Sequence, residues 1–146
     1  MSTRAVSTTL GYVLTLSITT ILISGIMVGA GGYISAEHER VTETELEVVG
    51  QRLAANIEAV DRIASSSDDE TTSTVSSRLE LPNRVAGTTY RINVESDELV
   101  LRSVDPEVTV RVSVQTETTL DSGSVDAGDV VVRYDAGDDD LEVTNG

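Results

Sequence analysis

The chain contains no cysteine, no phenylalanine, no tryptophan and no lysine. Without cysteine there is no disulfide, thiolate metal site or cysteine nucleophile, and the redox compartment leaves no trace. Four tyrosines are the only aromatic residues, so any core is built from Val, Leu, Ile and Ala, each burying modest area. Positive charge is also scarce. Ten arginines stand against 25 acidic residues, for a net charge of −15. Such a surface is soluble and repels itself at low ionic strength. It argues against nucleic acid as a partner, because phosphate binding needs a basic stripe. His38 is the only histidine, so no nucleophile–base pair is apparent, and no glycine-rich phosphate loop is present. These absences point away from an enzyme and imply no cofactor. No Asn-x-Ser/Thr acceptor occurs either.

What is present is ordered by charge. From Ala5 to Ala36 no residue is charged, with Arg4 just before the run and Glu37 just after it. A hydrocarbon core of ~30 Å needs about 20 apolar residues in a helix, so the run is long enough to span a bilayer. Tyr12 and Tyr33 lie 21 residues apart, roughly 31 Å at ~1.5 Å per residue, which fits the two aromatic belts of a membrane helix. Thr15, Ser17, Thr19, Thr20 and Ser24 interrupt the apolar run; their hydroxyls can bond back to the preceding turn or across to another helix. A removable signal peptide would have a shorter apolar core ending in a cleavage site. Here the run continues directly into a second helical pattern, which favours a retained anchor.

In that second pattern Leu46, Val49, Leu53, Ile57, Val60 and Ile63 recur at spacings of three and four, one apolar stripe. Charges such as Glu58 and Asp61 fall off it. Residues 65–74 form a polar, low-complexity linker. Beyond it the period becomes two. Tyr90, Ile92 and Val94 form one set, Val108, Val110, Val112 and Val114 a second, and Val130, Val132 and Tyr134 a third. Leu99–Val104 and Leu141–Val143 add two further strands. The pattern predicts an α+β fold: a long N-terminal helix, transmembrane half then amphipathic half, followed by a small antiparallel β-sheet head of about five strands. The stripe should cover one face of that sheet, Leu53 and Ile57 lying on Val110, Val112 and Val132. The divisions are a leader at 1–5, a transmembrane helix at 6–36, a soluble helix at 37–65, a linker at 66–77 and a head at 78–146.

The N-terminus reads Met1-Ser2-Thr3-Arg4-Ala5-Val6-Ser7-Thr8-Thr9-Leu10-Gly11 before the apolar run. A charged residue, then Ala, Val, Ser and an apolar helix, resembles the class III signal of archaeal type IV prepilins. The acidic, lysine-free composition likewise resembles proteins of salt-loving archaea. The prepilin resemblance implies a membrane peptidase that cuts on the cytoplasmic side between Ala5 and Val6, with Arg4 as the charged residue it reads. The helix then stays with the mature subunit and packs against other pilin-like subunits in a filament or its assembly machinery. Haloarchaeal pilins often continue Ser-Pro-Val-Ile-Gly, whereas this chain has Ser7-Thr8-Thr9-Leu10-Gly11, which suggests a minor or divergent subunit. Bacterial pilins carry Glu at the fifth mature position; Leu10 stands there, so no carboxylate is available to pair with a neighbour's N-terminus.

Two readings of the anchor stay open. One is the processed pilin-like subunit. The other is an uncleaved, single-pass surface module that binds a ligand or partner, with Arg4 serving only to keep the N-terminus cytoplasmic and the head outside. Gly25 and Gly29 have the small-xxx-small spacing that lets membrane helices approach closely. Asp135, Asp138, Asp139 and Asp140 cluster at one turn, but the spacing of a calcium loop is missing, so they read as a solvated turn and no metal is expected. His38 reads as an interfacial residue.

Overall fold

Residues Ser2–Ser65 form one helix, α1, in the computed structural model, which describes residues 2–66 and 74–146. No proline precedes Pro82, so nothing removes an N–H from the helical ladder. The helix continues through Gly29, Gly31 and Gly32 as well. At the C-terminal end, Arg62 lies in the last turn. There the Ser65 hydroxyl donates to Arg62 O at 3.2 Å, which also accepts from Ser66 N–H at 3.2 Å, and the Ser66 hydroxyl donates to Ile63 O at 2.9 Å, so side chains help to close the last turn. Met1 of the expected leader and residues 67–73 of the expected linker lie outside the described residues.

The chain divides into an N-terminal unit, Met1–Glu37, and a C-terminal unit, His38–Gly146. The second contains the last 28 residues of α1 and eight strands among the described residues: β1 (Val75–Glu80), β2 (Tyr90–Val94), β3 (Glu98–Ser103), β4 (Thr109–Ser113), β5 (Thr119–Leu120), β6 (Gly123–Asp126), β7 (Asp129–Asp135) and β8 (Asp140–Asn145). They form two four-stranded sheets in the orders β1-β7-β8-β5 and β4-β3-β2-β6. All pairings are antiparallel except β5 with β8. The α+β class is as the sequence pattern predicts; one sheet of about five strands is not. β1 opens at Val75, inside the stretch expected to be linker. β5 and β6 are two and four residues long, too short for a period of two to show.

The alternation holds in β2 but not in β3, where Leu99, Val100 and Leu101 are all buried. In β2, Tyr90, Ile92 and Val94 are buried while Arg91 and Asn93 are exposed. β2 and β3 form the expected hairpin, closed by Glu95 N–H donating to Glu98 O at 2.9 Å. The two sheets meet beside β6 and β8. There Asn145 accepts from Asp126 N–H at 3.3 Å and donates to Asp126 O at 3.2 Å.

The helix supplies the cover. Leu46, Val49, Leu53, Ala54, Ile57 and Val60 join a single apolar cluster with residues of both sheets, Val110 and Val132 included, and Val112 packs against it half-buried. Gly50 lies against β3 and β4: a Cβ there would stand 2.7 Å from Val112 Cγ2 and 2.9 Å from Leu101 Cδ1. On the side of β1, Asn56 Nδ2 donates to Ser77 Oγ at 3.0 Å. The stripe differs from expectation at its C-terminal end. Ile63 is 53% exposed, and Asp61, assigned to the outer face, is buried. Glu58 is also engaged, accepting from Gln115 N–H at 3.1 Å. The helix rotates by ~100° per residue, so position 61 shares the face of Leu53 and Ile57.

Candidate functional site

In the N-terminal unit every residue from Thr3 to Glu37 is exposed. The helix is long and apolar enough to cross a membrane by length and composition. Its hydroxyls do not disturb that character. Thr8 and Thr9 donate to Arg4 O and Ala5 O at 3.0 and 2.9 Å. Thr15, Ser17, Thr19, Thr20 and Ser24 donate to the carbonyl four residues earlier at 2.8–2.9 Å. Of the two partners open to them, these hydroxyls take the preceding turn. Each polar group is thereby satisfied inside its own helix, as an apolar solvent requires.

Arg4, Ala5 and Val6 lie in the first turns of α1, with Val6 63% exposed. Gly25 and Gly29 lie one turn apart. A Cβ added at either would meet nothing within 4 Å, so the strip between them is open to a neighbour. Tyr12 and Tyr33 both project from the helix surface, exposed. The structure therefore brings no two of these groups together within one chain; they are arrayed along a single uncovered helix.

The C-terminal unit carries three polar constructions that the sequence did not reveal. The first is a tight turn held by the helix. Val85 and Thr88 exchange two backbone hydrogen bonds of 2.9 Å, and Ala86 and Gly87 have φ of 46° and 83°, the left-handed pair of a type I′ turn. Ala86 is a non-glycine residue in that region, which costs of order 1 kcal/mol or more. Two side chains of α1 grip its peptide: Glu45 accepts from Ala86 N–H, and His38 Nε2 lies 3.0 Å from Ala86 O, so that nitrogen carries the proton and donates. The expected interfacial histidine thus has a partner 48 residues downstream.

The second is a cleft of ≈680 Å³ beside this turn, lined among others by Arg84, Arg91, Arg102, Asn83, Asn93 and Asp126. Arg91 Nε donates to Asp126 Oδ1 at 2.9 Å. Arg84 and Arg102 have no ion-pair partner among the described residues. Tyr90, also at this cleft, donates its hydroxyl to Pro82 O at 2.7 Å, and burial pushes its pKa up to about 12.

The third lies at the other end of the unit. Asp61 accepts from Glu117 N–H at 2.9 Å and Thr118 N–H at 3.1 Å. Burial alone would raise its pKa, but the hydrogen bonds from the Thr118 side chain and the two N–H groups outweigh it and hold the carboxyl below its ordinary value. Nearby, the turn from Asp135 to Asp140 is tied by Asp139 N–H to Asp135 O at 2.9 Å and by Tyr134 Oη to Asp139 Oδ1 at 3.0 Å. The Asp140 carboxyl is pushed up by partial desolvation and by the charges of Asp138, Asp121, Asp135 and Asp139. Among the described residues no group of three or more His, Asp or Glu is placed to hold a metal ion.

The chain belongs to a family of unknown function, DUF7266, whose model matches residues 1–145. No curated protein and no solved structure matches the chain.

Proposed function

We propose that this DUF7266 chain is a type IV pilin-like structural subunit, in a minor role, of an archaeal surface filament or of its assembly machinery. The observation that carries the proposal is the N-terminal unit. It is a helix uncovered on all sides from Thr3 to Glu37, with its membrane-depth hydroxyls satisfied internally and Arg4-Ala5-Val6-Ser7 at its start. Such a surface requires lipid or other helices around it. Arg4 before the span and Glu37 and Glu39 after it favour a cytoplasmic N-terminus and an external C-terminal unit. In this reading a prepilin peptidase cuts between Ala5 and Val6. The freed helices leave lipid and pack laterally through the open strip at Gly25 and Gly29, while the acidic heads face solvent. Neither an active site nor a cofactor takes part.

Intact-mass analysis of the membrane fraction tests the proposal. The mature chain should begin at Val6 and keep the whole helix. Arg4→Ala should block the cut yet leave the protein in the membrane, because the helix supplies the insertion energy. A wild-type chain that retains Arg4 in cells with an active prepilin peptidase would refute it, and the uncleaved surface module would take its place.

A further inference from the structure

Positive charge in this chain is not spread evenly. The C-terminal unit holds nine arginines and 24 acidic residues, since only Arg4 and Glu37 among the charged residues precede it. Three of those nine, Arg84, Arg91 and Arg102, line one cleft, against a single carboxylate, Asp126. They come from the loop after β1, from β2 and from β3. Arg91 is held by Asp126, whereas Arg84 and Arg102 are exposed and unpaired among the described residues. Guanidinium groups bind carboxylates in a planar, two-pronged geometry that lysine cannot match. A concavity of ≈680 Å³ is large enough to admit a narrow chain segment as well as a small molecule.

The complementary surface is on the same unit. The turn Asp135-Ala136-Gly137-Asp138-Asp139-Asp140 carries four carboxylates and no cation. Residues 136–139 form its tip, with the small Ala136 and Gly137 beside Asp138 and Asp139. The cleft and the turn lie at opposite ends of β7. Ala127, two residues before the strand, lines the cleft, and the turn follows directly from the strand's last residue, about 20 Å away at ~3.3 Å per residue. The helix reports the same polarity. Ala86, two residues from Arg84, is gripped by His38 and Glu45, whereas Asp61 accepts from Thr118 N–H, next to Thr119, which pairs with Asp140 of the turn.

We propose that the arginine-lined cleft receives the Asp135–Asp140 turn of a second copy of this chain, so that C-terminal units join head to tail. Two such units otherwise repel one another, and this is the contact at which their charges attract. The contact joins unlike patches at opposite ends, so it is not used up by forming a dimer; each added copy presents a new cleft or a new turn. The pairing requires no processing at Ala5–Val6 and no contact between N-terminal helices. It can therefore fail while the pilin-like reading stands, and the reverse.

The absence of cysteine makes the test clean. Val104 lines the cleft and is 79% exposed, and Ala136 is exposed at the turn. The full chain carrying both Val104→Cys and Ala136→Cys, treated in its own membranes with a short bis-maleimide, should give a ladder of species beyond the dimer. Mass spectrometry of the digest should find positions 104 and 136 linked between copies. Each single variant should give no ladder. Adding Arg84→Ser and Arg102→Ser, or Asp138→Asn and Asp139→Asn, should abolish it. The absence of a 104–136 link in the double variant would overturn the proposal. So would a ladder that survives either set of charge removals.

Discussion

Asp61 interrupts the buried side of α1 with a carboxylate on which two backbone N–H groups converge. Its partners, Glu117 and Thr118, lie 56 and 57 residues downstream, which is why periodicity alone placed it on the outer face among the other charges. Among the described residues it is the only buried charged side chain, and removing its charge leaves buried donors with a poorer acceptor. Asp61→Asn should therefore cost about 1–3 kcal/mol of unfolding free energy. The pH dependence follows from the lowered pKa. The contribution is complete above the ordinary value of 3.8 and is lost as pH falls through the lower folded value. Thermal melts of the two proteins should differ at neutral pH and converge below about pH 3.8; a gap that persists undiminished at low pH would contradict the assignment. His38 was equally opaque in sequence. A single histidine next to the apolar run reads as interfacial, and only the fold brings the Ala86 carbonyl to it.

The stripe on α1 from Leu46 to Val60 was legible because helical period and burial coincide there. Its partner was legible only in part. Alternation in β2, β4 and β7 tells which side chains turn inward, but it cannot tell which strand lies alongside. Hence β1, whose residues pair with partners in β7 49 to 59 positions downstream, and the division into two sheets escaped the pattern. Gly50 sits where that division matters. Alanine there would gain up to ~1 kcal/mol of helix propensity, but its Cβ would stand within 3 Å of Val112 and Leu101. Forcing a methyl into a packed site typically costs ~1–3 kcal/mol. Val112 is β-branched and stiff at χ1, and Leu101 is fully buried, so Gly50→Ala should be destabilising by about 1 kcal/mol net when melted in detergent. A gain in stability would show that the sheet yields. At Gly25 and Gly29 a side chain meets nothing within the chain. Gly25→Leu should leave the melt unchanged while lowering the yield of assembled protein recovered from membranes, if helices pack there. Unchanged assembly would move the packing strip to another face.

Taken together, the C-terminal unit carries the full −15 of the chain, because Arg4 and Glu37 cancel. Repulsion among these charges acts over ~10 Å at 0.1 M salt and ~3 Å at 1 M. The midpoint of thermal unfolding should accordingly rise between those concentrations; a flat response would mean the acidic surface carries no strain. The excess of acid was plain from composition, but the concentration of arginines in one cleft was not, since Arg84, Arg91 and Arg102 are adjacent only once β2 and β3 have paired. The long separation between the helical cover and what it covers also sets an order in time. Leu46 leaves the ribosome 97 residues before Val143, with which it shares a core. At ~5–20 residues per second that interval lasts roughly 5–20 s. Until β2, β3 and β4 have followed, the finished helix carries an apolar stripe with no sheet to cover it, and β1 waits longer still, for β7. A newly made chain is, until that first sheet has formed, an amphipathic helix seeking an interface, and its cover is complete only when the last two strands arrive.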